Sequence, residues 1–294
     1  MREFILGTDW WDDCDDAVAL RILLRSTKIN ETRLIGVGIN ACMEYSAASV
    51  EGFMNLEGVS GIPVGIDITG TDYGGVAPYQ KTLAAHSVNI KKNSDAEDAV
   101  KLYRRVIANA DSKVEIIEIG FLTVIAAALK SGADEFYGGD GVSLFKEKVS
   151  KVWIMAGNWS ADGGLENNII RTPRTIAAAR DLLALCPVPV TFLGYEVGED
   201  VITGGKLDKS DFLHRVMKEH GSEGGRSSWD PMTALLAVIG DEEKAGYSLI
   251  RGRAEVDPLS GANHFIPFKN GPHGYVMKKY GNGYYRDLID ERIK

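Results

Sequence analysis

Residues 2 to 20 constrain the chain most, reading R-E-F-I-L-G-T-D-W-W-D-D-C-D-D-A-V-A-L. A short apolar run, Phe4 to Leu6, ends in five carboxylates within eight positions: Asp9, Asp12, Asp13, Asp15 and Asp16. The apolar stretch Ala17 to Leu24 follows at once with helical character. This is a strand feeding a helix, with acids crowded into the joint. At the carboxyl end of a strand in an open α/β sheet, such a joint faces the crevice where ligands bind. Carboxylates so close repel one another unless a cation, hydrogen bonds or water offset the repulsion. A hard, oxygen-seeking cation such as Ca²⁺ would do so. Acids before a helix are also favoured by its positive end and by capping, so the same residues suit a solvated helix cap. An EF-hand is excluded, because counting from Asp9 the sixth residue is Cys14 and the twelfth Leu20, where that loop needs Gly and Glu.

Apolar β-rich runs alternate with helical patterns through the first two thirds, the mark of a mainly parallel sheet with crossover helices. Strands are expected at Arg33 to Asn40, Pro63 to Ile66, Val114 to Ile119, Lys151 to Met155 and Val188 to Leu193. Helices are expected at Tyr45 to Leu56, Asp95 to Ala108, from Val124, and at Pro173 to Leu185. Residues 67 to 93, rich in Gly and Thr, read as a long loop beside the site. In the last third, Asp211 to His220 and Pro231 to Ile239 read as helices, Tyr247 to Tyr280 as a broken hairpin, and a final helix lies near Asp287. No repeat or linker divides the chain, so one α/β domain over 1–294 is expected, long enough to bury a large core.

The net charge of −8 argues against a nucleic-acid partner, which would need basic surface. Three cysteines lie far apart without metal spacing, which suits a reducing compartment and a cytoplasmic location. No signal peptide or membrane-length apolar run is present, so no membrane partner is expected.

Four further patches can carry chemistry. Asn40 closes the second strand, where Asn also suits a turn. Gly120-Phe121-Leu122-Thr123 follows the Val114 strand, where Thr also suits an N-cap. Met155-Ala156-Gly157-Asn158 precedes Leu165-Glu166-Asn167-Asn168. A carboxylate and an amide two residues apart project to one side of an extended segment, where they can hold sugar hydroxyls. Ser228-Trp229-Asp230-Pro231 opens a helix in the ordinary way, with Pro at its first turn.

Together these patches resemble the nucleoside hydrolases. T-D-W-W-D-D-C-D-D-A-V-A-L is similar to that family's opening signature D-x-D-P-G-x-D-D-A-x-A-L, and closer to its longer variant D-x-G-x-D-x-D-D-A-x-A-L. Gly7 replaces the first Asp, and Trp10 and Trp11 stand where the variant has an apolar residue and Gly. Residues 120–123 resemble G-P-L-T, and 155–157 with Glu166 and Asn168 resemble M-G-G then E-F-N-I. Asp230-Pro231 resembles the end of H-D-P, with Trp229 in the His position. Gly194-Tyr195-Glu196-Val197-Gly198 is similar to a G-x-E-x-G segment of the longer-motif relatives, in which Trp before Asp-Pro also occurs. The matches run in the family's order over residues 5 to 240.

The resemblance implies a Rossmann-like, mixed, mostly parallel sheet flanked by helices, and hydrolysis of the N-glycosidic bond of ribonucleosides to base and ribose with a calcium-bound water. It implies Asp9, Asp16, Asp230 and the Thr123 carbonyl as Ca²⁺ ligands. Asp9 is the implied general base, or Asp13, since the motif here is two residues longer. Asp15, Asn40, Asn158, Glu166, Asn168 and Trp229 would face the substrate. It further implies a small-molecule nucleoside partner and a homodimer or homotetramer. A rival reading is a calcium-dependent nucleoside- or ribose-binding protein without hydrolysis, suggested by Trp229. An Asp-nucleophile phosphatase is disfavoured, because Trp11 stands where its second Asp belongs. None of the five histidines lies in a matched patch. His220, nearest in sequence to Trp229, is either a substitute acid or a solvated helix-end residue.

Overall fold

The computed structural model describes residues 1–294. Its sheet begins with β1 (Arg2–Thr8), β2 (Thr32–Ile39), β3 (Val64–Ile66) and β4 (Glu97–Asp98), then β5 (Val114–Glu118), β6 (Val149–Met155) and β7 (Val190–Leu193). These seven lie in the spatial order β4-β3-β2-β1-β5-β6-β7, and all pair in parallel. The chain builds outward from β1 in one direction and then restarts at β5 in the other. The junction of β1 and β5 is therefore a topological switch point, where the loops after two neighbouring strands part and leave a crevice.

Strand β1 is buried along nearly its whole length, as a parallel strand covered by helices on both faces must be. Side-chain alternation sends Phe4 and Leu6 into one apolar core and Ile5 into the other, as the period of two requires. The helix Asp15–Lys28 buries Ala17 to Leu24 and packs against the helix Trp229–Ile239. That contact brings the two acidic helix starts together although over 200 residues separate them.

Two expectations need correction. The helix foreseen from Asp95 begins at Ala99, because Glu97–Asp98 pairs with β3 and the Asp98 carboxylate caps the helix by accepting from the Lys101 N–H at 2.9 Å. The last third is more than a hairpin. After a two-stranded ribbon of β8 (Ile202–Thr203) and β9 (Arg226–Ser227), the chain forms β10 (Tyr247–Val256), β11 (Asn263–Pro267) and β12 (His273–Lys278). Strand β12 runs parallel to β7 and antiparallel to β10, with β11 at the edge, so this segment extends the main sheet to ten strands. The 67–93 region carries a short helix, Gln80–Ala84, with Tyr79, Gln80 and Leu83 buried. No helix is long and apolar enough to cross a membrane.

Candidate active site

The joint after β1 turns sharply at Trp10, whose φ of 43° is unusual for a residue other than glycine. The turn is held locally. The Trp10 N–H donates to Thr8 Oγ1 at 3.0 Å and to Asp16 Oδ1 at 3.3 Å, while the Thr8 hydroxyl donates to the same Asp16 oxygen. The Trp10 ring is fully buried, its indole N–H donating to Ser49 Oγ at 2.8 Å and its faces meeting Phe53 and Tyr79 edge-on. Trp11 goes the other way. Its N–H donates to the Gly74 carbonyl at 2.7 Å, and its ring walls a cavity of about 510 Å³ at the switch point. The two tryptophans thus divide the extra length of the joint into an anchor and a wall.

Asp9, Asp15, Asp16 and Asp230 line the floor of this cavity and are buried. Carboxylate oxygens of Asp15, Asp16 and Asp230 lie within 4.8 Å of one another. The Asp230 N–H donates to Asp15 Oδ2 at 3.2 Å, locking the two helix starts together. Burial, then the neighbouring carboxylates, pushes all four carboxyls well above the usual range. Asp13, by contrast, is bound by the Arg226 guanidinium at 2.6 Å and held below the usual range by it despite burial. A floor of oxygen donors only, with mutually repelling charges, has the chemistry of a hard divalent cation site.

Glu166 and Asn168 form the side of the cavity nearest β6, and their local structure differs from the extended segment expected. Glu166 is the N-cap of a one-turn helix, Asn167–Ile170, and accepts from the Asn168 N–H at 2.8 Å and the Gly157 N–H at 3.0 Å. A carboxylate can satisfy the orphan donors of a helix start better than an extended strand could use it. Burial lifts the Glu166 carboxyl to about 7. The Asn168 amide donates to the Met155 carbonyl at 3.0 Å, which leaves its oxygen free toward the cavity.

The outer wall combines motif aromatics with Arg171 and His220, which no motif marks. Arg171 stacks on Trp11 with its guanidinium carbon 4.5 Å from the ring centroid, and it donates to the Tyr73 carbonyl. Tyr195 stacks on Trp229 at 5.4 Å. The Trp229 indole N–H, which sequence leaves open to a ligand, is engaged by the Tyr195 carbonyl at 2.9 Å. His220, the last residue of its helix and mostly buried, lines the cavity too.

The structure thus gathers Asp9, Asp13, Asp15, Asp16, Glu166, Asn168, Trp229 and Asp230 around one cavity. Three expected residues do not line it. Asn40 is buried beneath, its side-chain oxygen accepting from the Phe121 N–H at 3.0 Å and so tying β2 to the end of β5. Asn158 directs its side-chain oxygen to Ser160, while its backbone is gripped on both sides by buried Asn263 at 2.8 and 2.9 Å. Thr123 opens the helix Thr123–Lys130 and lines a separate cavity of about 440 Å³ with Asp67 and Arg174. Gly120 packs tightly on the end of β1, where a Cβ would fall 2.2 Å from the Asp9 nitrogen. Arg171, Arg226 and Asn263 carry no local signal in the sequence. Tyr195 sits in the quoted G-x-E-x-G segment, which was its only available signal.

No family model matches the sequence, and no curated protein matches it. The solved structures define the class: this is the α/β fold of the nucleoside hydrolases, a mostly parallel sheet flanked by helices. The inosine-uridine preferring nucleoside hydrolase of Bacillus anthracis superposes with a TM-score of 0.70 at 16% identity, covering 100% of this chain and 99% of that one. The plant nucleoside hydrolase PpNRh1 gives 0.74 at 19% identity, covering 99% and 98%. The type III effector protein XopQ, complexed with adenosine diphosphate ribose, gives 0.65 at 16%, covering 99% and 92%.

Proposed function

We propose that this chain is a hydrolase that cleaves the N-ribosidic bond of nucleosides, adding water across the bond between C1′ and the base nitrogen to release ribose and free base. The observation that carries the reading is the convergence of buried Asp9, Asp15, Asp16 and Asp230 at the switch point of a nucleoside hydrolase fold. The nucleoside hydrolases among its structural neighbours support a nucleoside as the substrate class.

Asp15, Asp16 and Asp230, whose carboxylate oxygens lie within 4.8 Å of one another, fit a Ca²⁺ ion with Asp9 beside Asp16, because all offer hard oxygen and none is neutralised by a basic side chain of its own; Arg226 is engaged by Asp13. Bound there, the ion would supply positive charge that orients ribose hydroxyls and lowers the pKa of a water. Asp9 is the general base in this reading, since the guanidinium on Asp13 weakens that carboxylate as a proton acceptor. Glu166 and Asn168 hold the sugar. Carboxylates around the ribosyl cation that develops in the transition state lower the barrier electrostatically. Trp11 and Trp229 offer aromatic surface on the outer side, where the base would stack. We further propose a single domain and a homodimer or homotetramer.

The binding-protein alternative draws on Trp229, which cannot protonate a leaving group. The two are separated by incubating the protein with ribonucleosides, with and without chelator, and assaying free base and reducing sugar. Calcium-dependent release of both supports hydrolysis. Binding without release supports the alternative.

A further inference from the structure

A purine or pyrimidine leaving as an anion requires a proton or a strong hydrogen bond. The cavity's donors are few once their existing partners are counted. The Trp229 N–H is held by the Tyr195 carbonyl, and the Tyr195 hydroxyl donates to Glu199 at 2.9 Å. The Asn168 amide is held by backbone carbonyls. The Arg171 and Arg226 guanidinium groups are engaged by the Tyr73 carbonyl and by Asp13. Outside the aspartates, the cavity side chains that can give up a proton are His220 and Glu166. The Glu166 oxygens face inward to the Gly157 and Asn168 N–H groups, beside the sugar side of the cavity.

His220 is placed differently. It is the last residue of the helix Phe212–His220, and Gly221 in the left-handed conformation ends that helix there. The ring is three-quarters or more buried, with Nδ1 2.9 Å from Ser222 Oγ and Nε2 3.8 Å from Asp13 Oδ1. The Ser222 contact orients the imidazole. Asp13, itself fixed by Arg226, marks the direction in which Nε2 faces, toward the cavity rim. Imidazole is the side chain that gives up a proton most readily near neutrality.

We infer that His220 is the acid that protonates the departing base, delivering its Nε2 proton to the base nitrogen as the bond to C1′ breaks, with Ser222 and the Asp13–Arg226 pair as positioning residues. The inference rests on the hydrolase reading and adds to it the origin of the leaving-group proton. It places that task on a helix other than the one that carries Trp229 and Asp230. The proton is regained from solvent, so the reaction still consumes one water and yields ribose and neutral base.

The test compares inosine and uridine with p-nitrophenyl riboside, whose leaving group needs no protonation, in wild type, H220A and H220Q. His220→Ala and His220→Gln should lower kcat/KM for the two nucleosides by about 10²–10⁴-fold and leave p-nitrophenyl riboside essentially unchanged, which also shows that the variants fold. Glu166→Gln should not reproduce that leaving-group dependence. Equal loss on all three substrates, no loss on the nucleosides, or the selective loss appearing in Glu166→Gln instead would each overturn the assignment to His220 alone. Wild-type protein that cleaves none of the three overturns the hydrolase reading itself, and the role of His220 with it.

Discussion

Asp13 and Arg226 meet in a bidentate ion pair, Oδ2 to Nη2 at 2.6 Å and Oδ1 to Nε at 3.0 Å, across 213 residues of sequence. The pair joins the acidic joint after β1 to the ribbon strand β9, immediately ahead of the helix that carries Asp230. It also divides the labour among five neighbouring acids, because a carboxylate already held by a guanidinium is a poor proton acceptor. Asp9→Asn should therefore lower kcat/KM by about 10²–10⁴-fold, the usual worth of a general base, and Asp13→Asn by far less. Steady-state rates of the two variants on one nucleoside check this. A larger loss in the Asp13 variant would reverse the assignment.

The floor acids should bind one Ca²⁺ per chain. Asp16→Ala removes a carboxylate that Thr8 and the Trp10 N–H also hold in place, so it should abolish retention of the ion. Elemental analysis after gel filtration reads this directly. Calcium at a hundred times its Kd should raise wild-type stability by about 2.7 kcal/mol and leave the Asp16 variant unmoved. A wild type free of divalent metal and indifferent to chelator would sink the calcium reading.

Discrimination among sugars should follow from burial. Asp15, Glu166 and Asn168 are each more than nine-tenths buried, so a missing 2′-hydroxyl leaves a buried partner unpaired at a cost of about 1–3 kcal/mol. Ribonucleosides should be cleaved about tenfold to a hundredfold faster than 2′-deoxyribonucleosides, on the same arithmetic. Equal kcat/KM values for inosine and 2′-deoxyinosine would count against the cradle.

Glu118 supplies a stability prediction outside the site. It pairs in register with Gly7, and its carboxylate occupies the space a side chain at position 7 would need, with a Cβ there falling 2.0 Å from Oε2. Burial lifts this carboxyl to about 8, while the Tyr103 hydroxyl donates to it at 2.8 Å. The folded state therefore holds a proton that the unfolded chain, near 4.5, releases. Stability from this group is complete below pH about 4.5 and is lost as pH rises towards about 8, at up to about 1.4 kcal/mol per pH unit. Glu118→Gln should flatten that slope in denaturant melts taken across the range, since the amide oxygen can still accept from Tyr103. An unchanged slope would show that another group sets it.

Arg21 supplies a second stability prediction. It is 1% exposed and binds Glu57, Asp211 and the Ile293 carbonyl, clamping three segments distant in sequence. Arg21→Met leaves Glu57 buried without its main counter-charge, which typically costs about 3–5 kcal/mol. Chemical denaturation should show that loss, while metal content at low temperature stays that of the wild type.

Much of this molecule is local, and the local part is legible from residue order alone. Hydrophobic alternation in Phe4 to Leu6, and helical spacing in Ala17 to Leu24, define a strand and a helix because each pattern can bury its apolar face in only one geometry. The tail D-D-A-V-A-L and the pair Asp230-Pro231 are helix starts with acids in the first turn, which the positive helix end favours, so their place at one end of the sheet follows from topology. The departures all involve partners far apart in the chain. Arg226 reaches Asp13, Asn263 grips Asn158, His220 enters the cavity, and Glu118 fills the space above Gly7. None of these has a spacing rule, because the distances are set by how strands pair and helices cross in the assembled fold. The N-cap role of Glu166 is the intermediate case, where a short helix could have been read from the capping preference but the sugar-binding pattern suggested an extended segment. Sequence determined which chemistry the chain carries at each strand end, since that depends on residue type and neighbours. Tertiary structure alone decided which acid is held by a guanidinium, which indole is already bonded and which histidine lines the cavity, since each depends on a contact across the fold.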